Sequence, residues 1–289
     1  MSGAFLGRSA FGALEVERLL KAHPLTDTAM QMRHYRADAA VMFLGVTILR
    51  RQNVGGGSIH LEEANSENSR RRGIIFRAGS LPDRARGLNR LGYIQEVCIE
   101  EDALLREAAY FGFMTSSPEE SFADAKNALE KQSGAGLKYT AINGVNTAGG
   151  ARSASHHWIF PSDYDWSRSD LLVETARQKT SSADPQWKQQ NWTAGATPGT
   201  FLNAVLEAAR SSQPRSESHY IFGEKRCKLT TEKSREPDGL TRLEGEILNQ
   251  GTGKKTSFNL WFEPGNTLPR KIEFQARSYL KLAFEAIPV

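Results

Sequence analysis

The sequence predicts an α+β protein that is mainly antiparallel β, with a few helices set between strands. Three observations carry this. From Glu217 to the end, alternating stretches follow one another closely, broken at Gly223, Pro237-Asp238-Gly239, Gly251-Thr252-Gly253 and Pro264-Gly265-Asn266; short strands at such spacing read as a β-meander, over 217–287. Within it, Phe258, Leu260 and Phe262 share one side, as do Leu280, Leu282 and Phe284, while Lys281 and Glu285 share the other. One dry and one wet face is the mark of an antiparallel sheet curled over a core or cavity. Composition agrees: 289 residues with 39% hydrophobic and 24% charged side chains are ordinary globular usage, enough to bury a core without disulfides.

The elements follow in order. Ala13 to Ala22 reads as a short amphipathic helix ended by His23-Pro24. Tyr35 to Leu49 reads as one strand, apolar on both faces from Ala39 onward and hence expected to be covered on both sides. Asn53 to Gly57 is a turn or bulge, and Ser58 to Glu62 alternates as the return strand. Glu63 to Arg72 is polar and reads as an exposed loop; Gly73 to Arg77 is a short strand, and Pro82 to Leu91 suits a helix with proline in its first turn. Tyr93 to Glu101 and Leu105 to Met114 are apolar strands. Ser117-Pro118-Glu119-Glu120 is a helix start with a capping box, running to about Gln132. Strands follow near Leu137 to Val145 and Ala154 to Phe160, then helices at Asp170 to Gln178 and Phe201 to Arg210, and then the meander. The expected organisation is an N-terminal helical segment over 1–28 and a single β-rich domain over 29–289, with helical insertions near 118–132, 170–178 and 200–210.

Charge and motifs narrow the chemistry. A formal net charge of +4 is too small to imply nucleic acid, and no stacking module or helix-turn-helix accompanies it. Arginine replaces lysine from Arg33 to Arg106, with no lysine between Lys21 and Lys126; its planar fork suits buried pairs and carboxylate or phosphate recognition. There is no Gly-x-Ser-x-Gly elbow, and Gly251 to Thr256 lacks the spacing of a phosphate loop. No two histidines have metal-ligand spacing on one element, and the adjacent His156 and His157 point to opposite faces of a strand. No metal and no cofactor is expected. Cys98 and Cys227 each sit in an alternating stretch and read as small buried hydrophobes. The longest apolar run, Ala39 to Leu49, is too short to span a bilayer as a helix. The first residues lack the form of a secretory signal, so the expected location is the cytoplasm, or the periplasm if a leader has been removed.

Leu260-Trp261-Phe262-Glu263-Pro264-Gly265-Asn266-Thr267-Leu268-Pro269-Arg270-Lys271-Ile272-Glu273 resembles the closing hairpin of the LolA-like lipoprotein carriers and related uncharacterised half-barrel proteins. A strand ends there in an aromatic, an acid and a proline; a leucine-proline pair and a basic-apolar-acidic strand follow. The resemblance covers about the last quarter of the chain. It implies a curved half-barrel or open barrel with helices covering the mouth, and often a hydrophobic ligand inside. The first two hundred residues match nothing in that family, and the missing export signal departs from it.

Candidate site residues come from groups that are costly to bury. Glu96 lies between Ile94 and Val97 in an apolar strand and needs a partner there, whether as a structural ion pair or as a proton-transfer group. Two functions follow. The first is a binding or carrier protein for a hydrophobic or amphipathic, including anionic, small molecule, with Arg51, Asn89, Arg90, Tyr93, Phe111 and Trp158 around the ligand. The alternative is a cofactor-independent isomerase, dehydratase or hydrolase using Glu96, His156 and Tyr110 in the barrel cavity.

Overall fold

The computed structural model describes residues 28–65, 69–81, 84, 91–101, 104–115, 138–147, 150–159, 188–190, 196–198, 201–222 and 225–288, with side-chain surroundings for 29–65, 69–81, 84, 94–100, 201–220 and 226–288. The helices expected at 13–22, 117–132 and 170–178, and most of that at 82–91, lie outside these residues.

Among the described residues fifteen strands form one sheet. The first meander comprises β1 (Thr28–Phe43), β2 (Val46–Asn65), β3 (Ser69–Ser80), β4 (Leu91–Glu101), β5 (Leu104–Thr115), β6 (Lys138–Thr147), β7 (Gly150–Ile159) and β8 (Lys188–Gln190). After β9 (Ala196–Pro198) and the helix α1 (Phe201–Arg210) come β10 (Arg215–Phe222), β11 (Lys225–Arg235), β12 (Thr241–Asn249), β13 (Lys255–Phe262), β14 (Lys271–Arg277) and β15 (Leu280–Ala286). The two meanders join through their first and last strands, since β1 pairs antiparallel with β15 from Tyr35–Ala286 to Val41–Leu280. The pairing is antiparallel throughout except for β9, which adds parallel to β10. The order ends at β8 on one side and β9 on the other, so the sheet is open.

Helix α1 shows how the sheet curves. Leu202 and Leu206 pack with Tyr35, Ala37, Ile59, Leu61, Ile74 and Phe284, from β1, β2, β3 and β15. Phe201, Val205 and Ala208 pack with Tyr220, Leu229, Leu243, Phe258 and Leu260, from β10 to β13. One ten-residue helix can be buried from both flanks by one sheet only if that sheet curls around it. Glu207 is the single exposed position of α1, so the helix lines the concave side and closes its mouth. Lys233 fixes its end, donating to the carbonyls of Ala209 (2.9 Å) and Ser211, where the helix dipole favours a cation.

Close approach inside this curve selects glycines. In β2, a Cβ on Gly55 or Gly57 would collide with the carbonyl oxygen of Gly79 or Arg77 on the neighbouring strand. In β12, Gly245 stands opposite Phe258, whose ring fills the space where its Cβ would be.

Three expectations are corrected. Tyr35 to Leu49 is not one strand: Leu44 and Gly45, both at positive φ, make a two-residue turn that folds the run back on itself as β1 and β2. The apolar run is then not covered on both faces, because Phe43, Leu44, Val46, Ile48 and Leu49 are half or more exposed. Nor is Glu63 to Arg72 an exposed loop. Most of it is strand, and Arg72 is buried; the cross-strand pairing of Glu63 with Arg72 overrides the polar composition that suggested a loop.

Candidate functional site

The concave face can be read off the register. Leu61, Ile74, Glu96 and Tyr110 occupy one cross-strand row, and Glu63, Arg72, Cys98 and Ala108 the next. Arg72 is in phase with Ile74 and Phe76 along β3, which is why the strand carries a guanidinium inward among apolar side chains.

That guanidinium, 1% exposed, is the centre of a charged cluster. Its Nη2 donates to Glu100 of β4 at 2.6 Å, and its Nη1 to Glu207 of α1. Beside it, Glu63 accepts both arms of Arg210 from α1, at 2.6 and 2.5 Å, and one arm of Arg70 at 2.6 Å. Three carboxylates thus face three guanidiniums, and two of the six groups are supplied by the helix. Burial works to raise the Glu63 pKa, but the hydrogen bonds from Arg210 and Arg70 overcome it and hold it at about 2. Pairing this complete is what allows such charges to leave water. It is not complete everywhere: Arg72 Nε, and Asn203 Oδ1 one turn before Glu207, are buried without a hydrogen bond.

Glu96 lies deeper, fully buried, and accepts from the Cys98 thiol at 3.3 Å. Burial, and then the neighbouring carboxylate, push that thiol well above its usual pKa, so it stays protonated. Burial raises the Tyr220 hydroxyl on β10, which is hydrogen-bonded to Cys227, and the Glu96 charge adds to that upward shift. Both cysteines are buried thiols outside any disulfide.

A second concavity of about 230 Å³ lies at the end of α1, lined by Arg210, Lys233, Leu243, Phe262, Glu263 and Asn266 among others. It is smaller than the usual range for drug-sized ligands.

The sequence-derived candidates distribute unevenly. Glu96 and Tyr110 are direct register partners. His156 is paired with Ala141, in the row of Tyr93 and Phe113, three strands away from β4. Phe111 is paired with Gln95, and Trp158 with Tyr139 on β6. Arg51 stands exposed on the projecting part of β2. Asn89 and Arg90 lie outside the described residues. The cluster of Glu63, Arg72, Glu207 and Arg210 was not anticipated. Its signal was the phase shared by Arg72 and Ile74, hidden within a charged stretch.

No family model matches the chain, and no curated protein matches it. A solved structure, a beta-barrel-like protein of the domain of unknown function DUF1849 from Brucella abortus, is similar at 9% identity and a TM-score of 0.37, spanning 89% of this chain and 95% of that one. The lipoprotein-carrier resemblance therefore rests on residues 260–273 alone. Among the described residues no helix is long and apolar enough to cross a membrane.

Proposed function

We propose that this chain binds or carries an amphipathic small molecule with an anionic head, held on Arg72 with its apolar part along the concave sheet. One observation carries the reading: a buried cation on an apolar concave face whose helix-borne partner, Glu207, is half-exposed. Glu207 can turn to water at little cost, whereas Arg72 cannot. A ligand carboxylate or phosphate would take its place in the same fork geometry. Displacement of α1 would then uncover Ile59, Leu61, Ile74, Leu229 and Leu243 for a tail. The unsatisfied Arg72 Nε supplies a further donor for the anionic head. The carrier-like hairpin at 260–273 supports the same reading.

The test is binding of a fluorescent long-chain fatty acid to the full chain. Glu207→Gln is expected to tighten binding several-fold by freeing Arg72, and Arg72→Met to abolish it while circular dichroism shows a folded protein. A folded Arg72→Met variant that binds like the parent would sink the proposal.

Glu96 favours a second reading, the cofactor-independent enzyme, because a buried carboxylate with a thiol donor and Tyr110 opposite is equipped for proton transfer. Turnover of enolisable carbonyl compounds or esters that Glu96→Gln abolishes, with fatty-acid binding intact, would support it. Equal turnover by parent and variant would exclude Glu96 as the base.

A further inference from the structure

We infer that the tip of the β1–β2 hairpin docks the protein on an anionic lipid surface. The hairpin outgrows the sheet. β1 keeps its partner β15 only up to Val41–Leu280, and β2 meets β3 only from Gly55 onward. Residues 43 to 49 therefore project with both outer edges unpaired by other strands.

The projecting tip is apolar where a free surface should be polar. Phe43 is 64% exposed, Leu44 89%, Val46 65%, Ile48 63% and Leu49 50%. Register places Phe43 opposite Val46 and Val41 opposite Leu49, so Val41, Phe43, Val46 and Leu49 share one face. The bulge between Val41 and Met42 leaves Ile48 as the extra residue beside them. Leu44 occupies the turn at φ 47, a conformation unfavourable to a branched side chain, and points its bulk outward at the apex. An unpartnered apolar patch of this kind marks an interaction site.

The surroundings favour lipid over protein. Tyr279 is exposed at the base of the tip, its carbonyl accepting from the Met42 amide at 2.8 Å; aromatic rings at this level suit a membrane interface. Arg50, Arg51 and Arg277 are exposed near the same level, within a strand or two of Val41. Arg51 and Arg277 form no ion pair among the described residues. The apolar part spans about three residues per strand, roughly 10 Å, close to the depth reached by interfacial segments. The free edges would be costly in the hydrocarbon core, so the tip rests in the interface and does not cross.

The test is sedimentation of the full chain with vesicles of phosphatidylcholine alone or containing phosphatidylglycerol. The parent is expected to co-sediment with the anionic vesicles, less so at high salt. Phe43→Ser/Leu44→Ser is expected to lose about tenfold or more in partitioning, since each side chain contributes on the order of a kcal/mol or more when buried. Arg51→Glu/Arg277→Glu is expected to lose the preference for anionic vesicles. The chain has five tryptophans, so the emission of a Phe43→Trp variant is read as the difference from the parent, and that difference emission shifts to the blue on vesicle addition. A parent that stays in the supernatant with both vesicles overturns the inference, as does an unshifted difference emission from the Phe43→Trp variant. So does a parent dimer that the Ser double variant converts to monomer with no vesicle binding in either, since the patch would then be a contact between copies.

Discussion

A few charged side chains tie the concave face to its helix. Glu63 joins β2, β3 and α1 through two arginines, so its ionisation is coupled to folding. Its pKa is about 2 in the fold against 4.5 for the free side chain. As pH falls, the unfolded chain takes up the proton first; the stabilisation is full above about pH 4.5 and is lost as pH drops towards 2. Urea unfolding of the parent should therefore weaken over that window, while Glu63→Gln shows a shallower decline and starts about 2 kcal/mol less stable at neutral pH. A parallel pH dependence in the two proteins would remove Glu63 from this role. Gly245→Ala should cost about 1–3 kcal/mol, because its methyl group occupies the place of the Phe258 ring. Gly239→Ala, at a turn with open space around it but φ 84, should cost about 1–2 kcal/mol from backbone strain without any clash. Thermal melts of the two variants check the contrast.

At the scale of elements, the loop between β13 and β14 is locked to β1. Tyr35 donates to the carbonyl of Pro269 at 2.7 Å, and Arg33 donates to the carbonyl of Leu268 and to Glu263. Leu268 is buried in the cluster that holds α1. This accounts for the leucine-proline pair physically: one residue plugs the end of the curl and the next offers its carbonyl to a buried hydroxyl. On the outer face Lys271 sits 4.5 Å over the Trp261 ring, holding the two strands of the hairpin from the wet side. Leu268→Ala is expected to cost about 2–4 kcal/mol and Tyr35→Phe about 1 kcal/mol. Urea midpoints report both, and a Leu268→Ala loss below that of Tyr35→Phe would contradict the plug.

For the whole molecule, the decisive contact is the pairing of β1 with β15, first strand with last. It closes a very long loop and is entropically costly, yet it sits in the middle of the sheet. Removing residues 280–289 would expose the edges of β1 and β14 together, take Leu280 and Phe284 out of the core and uncover part of the helix-binding face. Such a truncation should aggregate or lose cooperative unfolding in circular dichroism and size-exclusion chromatography. A monomeric, cooperatively melting truncated chain would show that the two meanders fold without their junction.

Alternation along the chain determined a great deal by itself. It located the strands of the C-terminal meander, the helix at 201–210, the inward faces of β13 and β15, and the buried Glu96, because strand and helix periods are local properties of side-chain order. It did not decide what lies across each face. The apolar run from Ala39 to Leu49 is equally consistent with a strand covered on both sides and with a hairpin; two residues, Leu44 and Gly45, separate the options, and only the pairing with β15 and β3 shows that the tip extends beyond the sheet. In the same way Glu63 and Arg70 to Arg72 look like solvated charge until β2 is laid against β3 and α1 brings Glu207 and Arg210 over them. Those partners come from 135 and 147 residues along the chain. A charge's burial depends on whether its counter-charge arrives, and that is settled by tertiary structure alone.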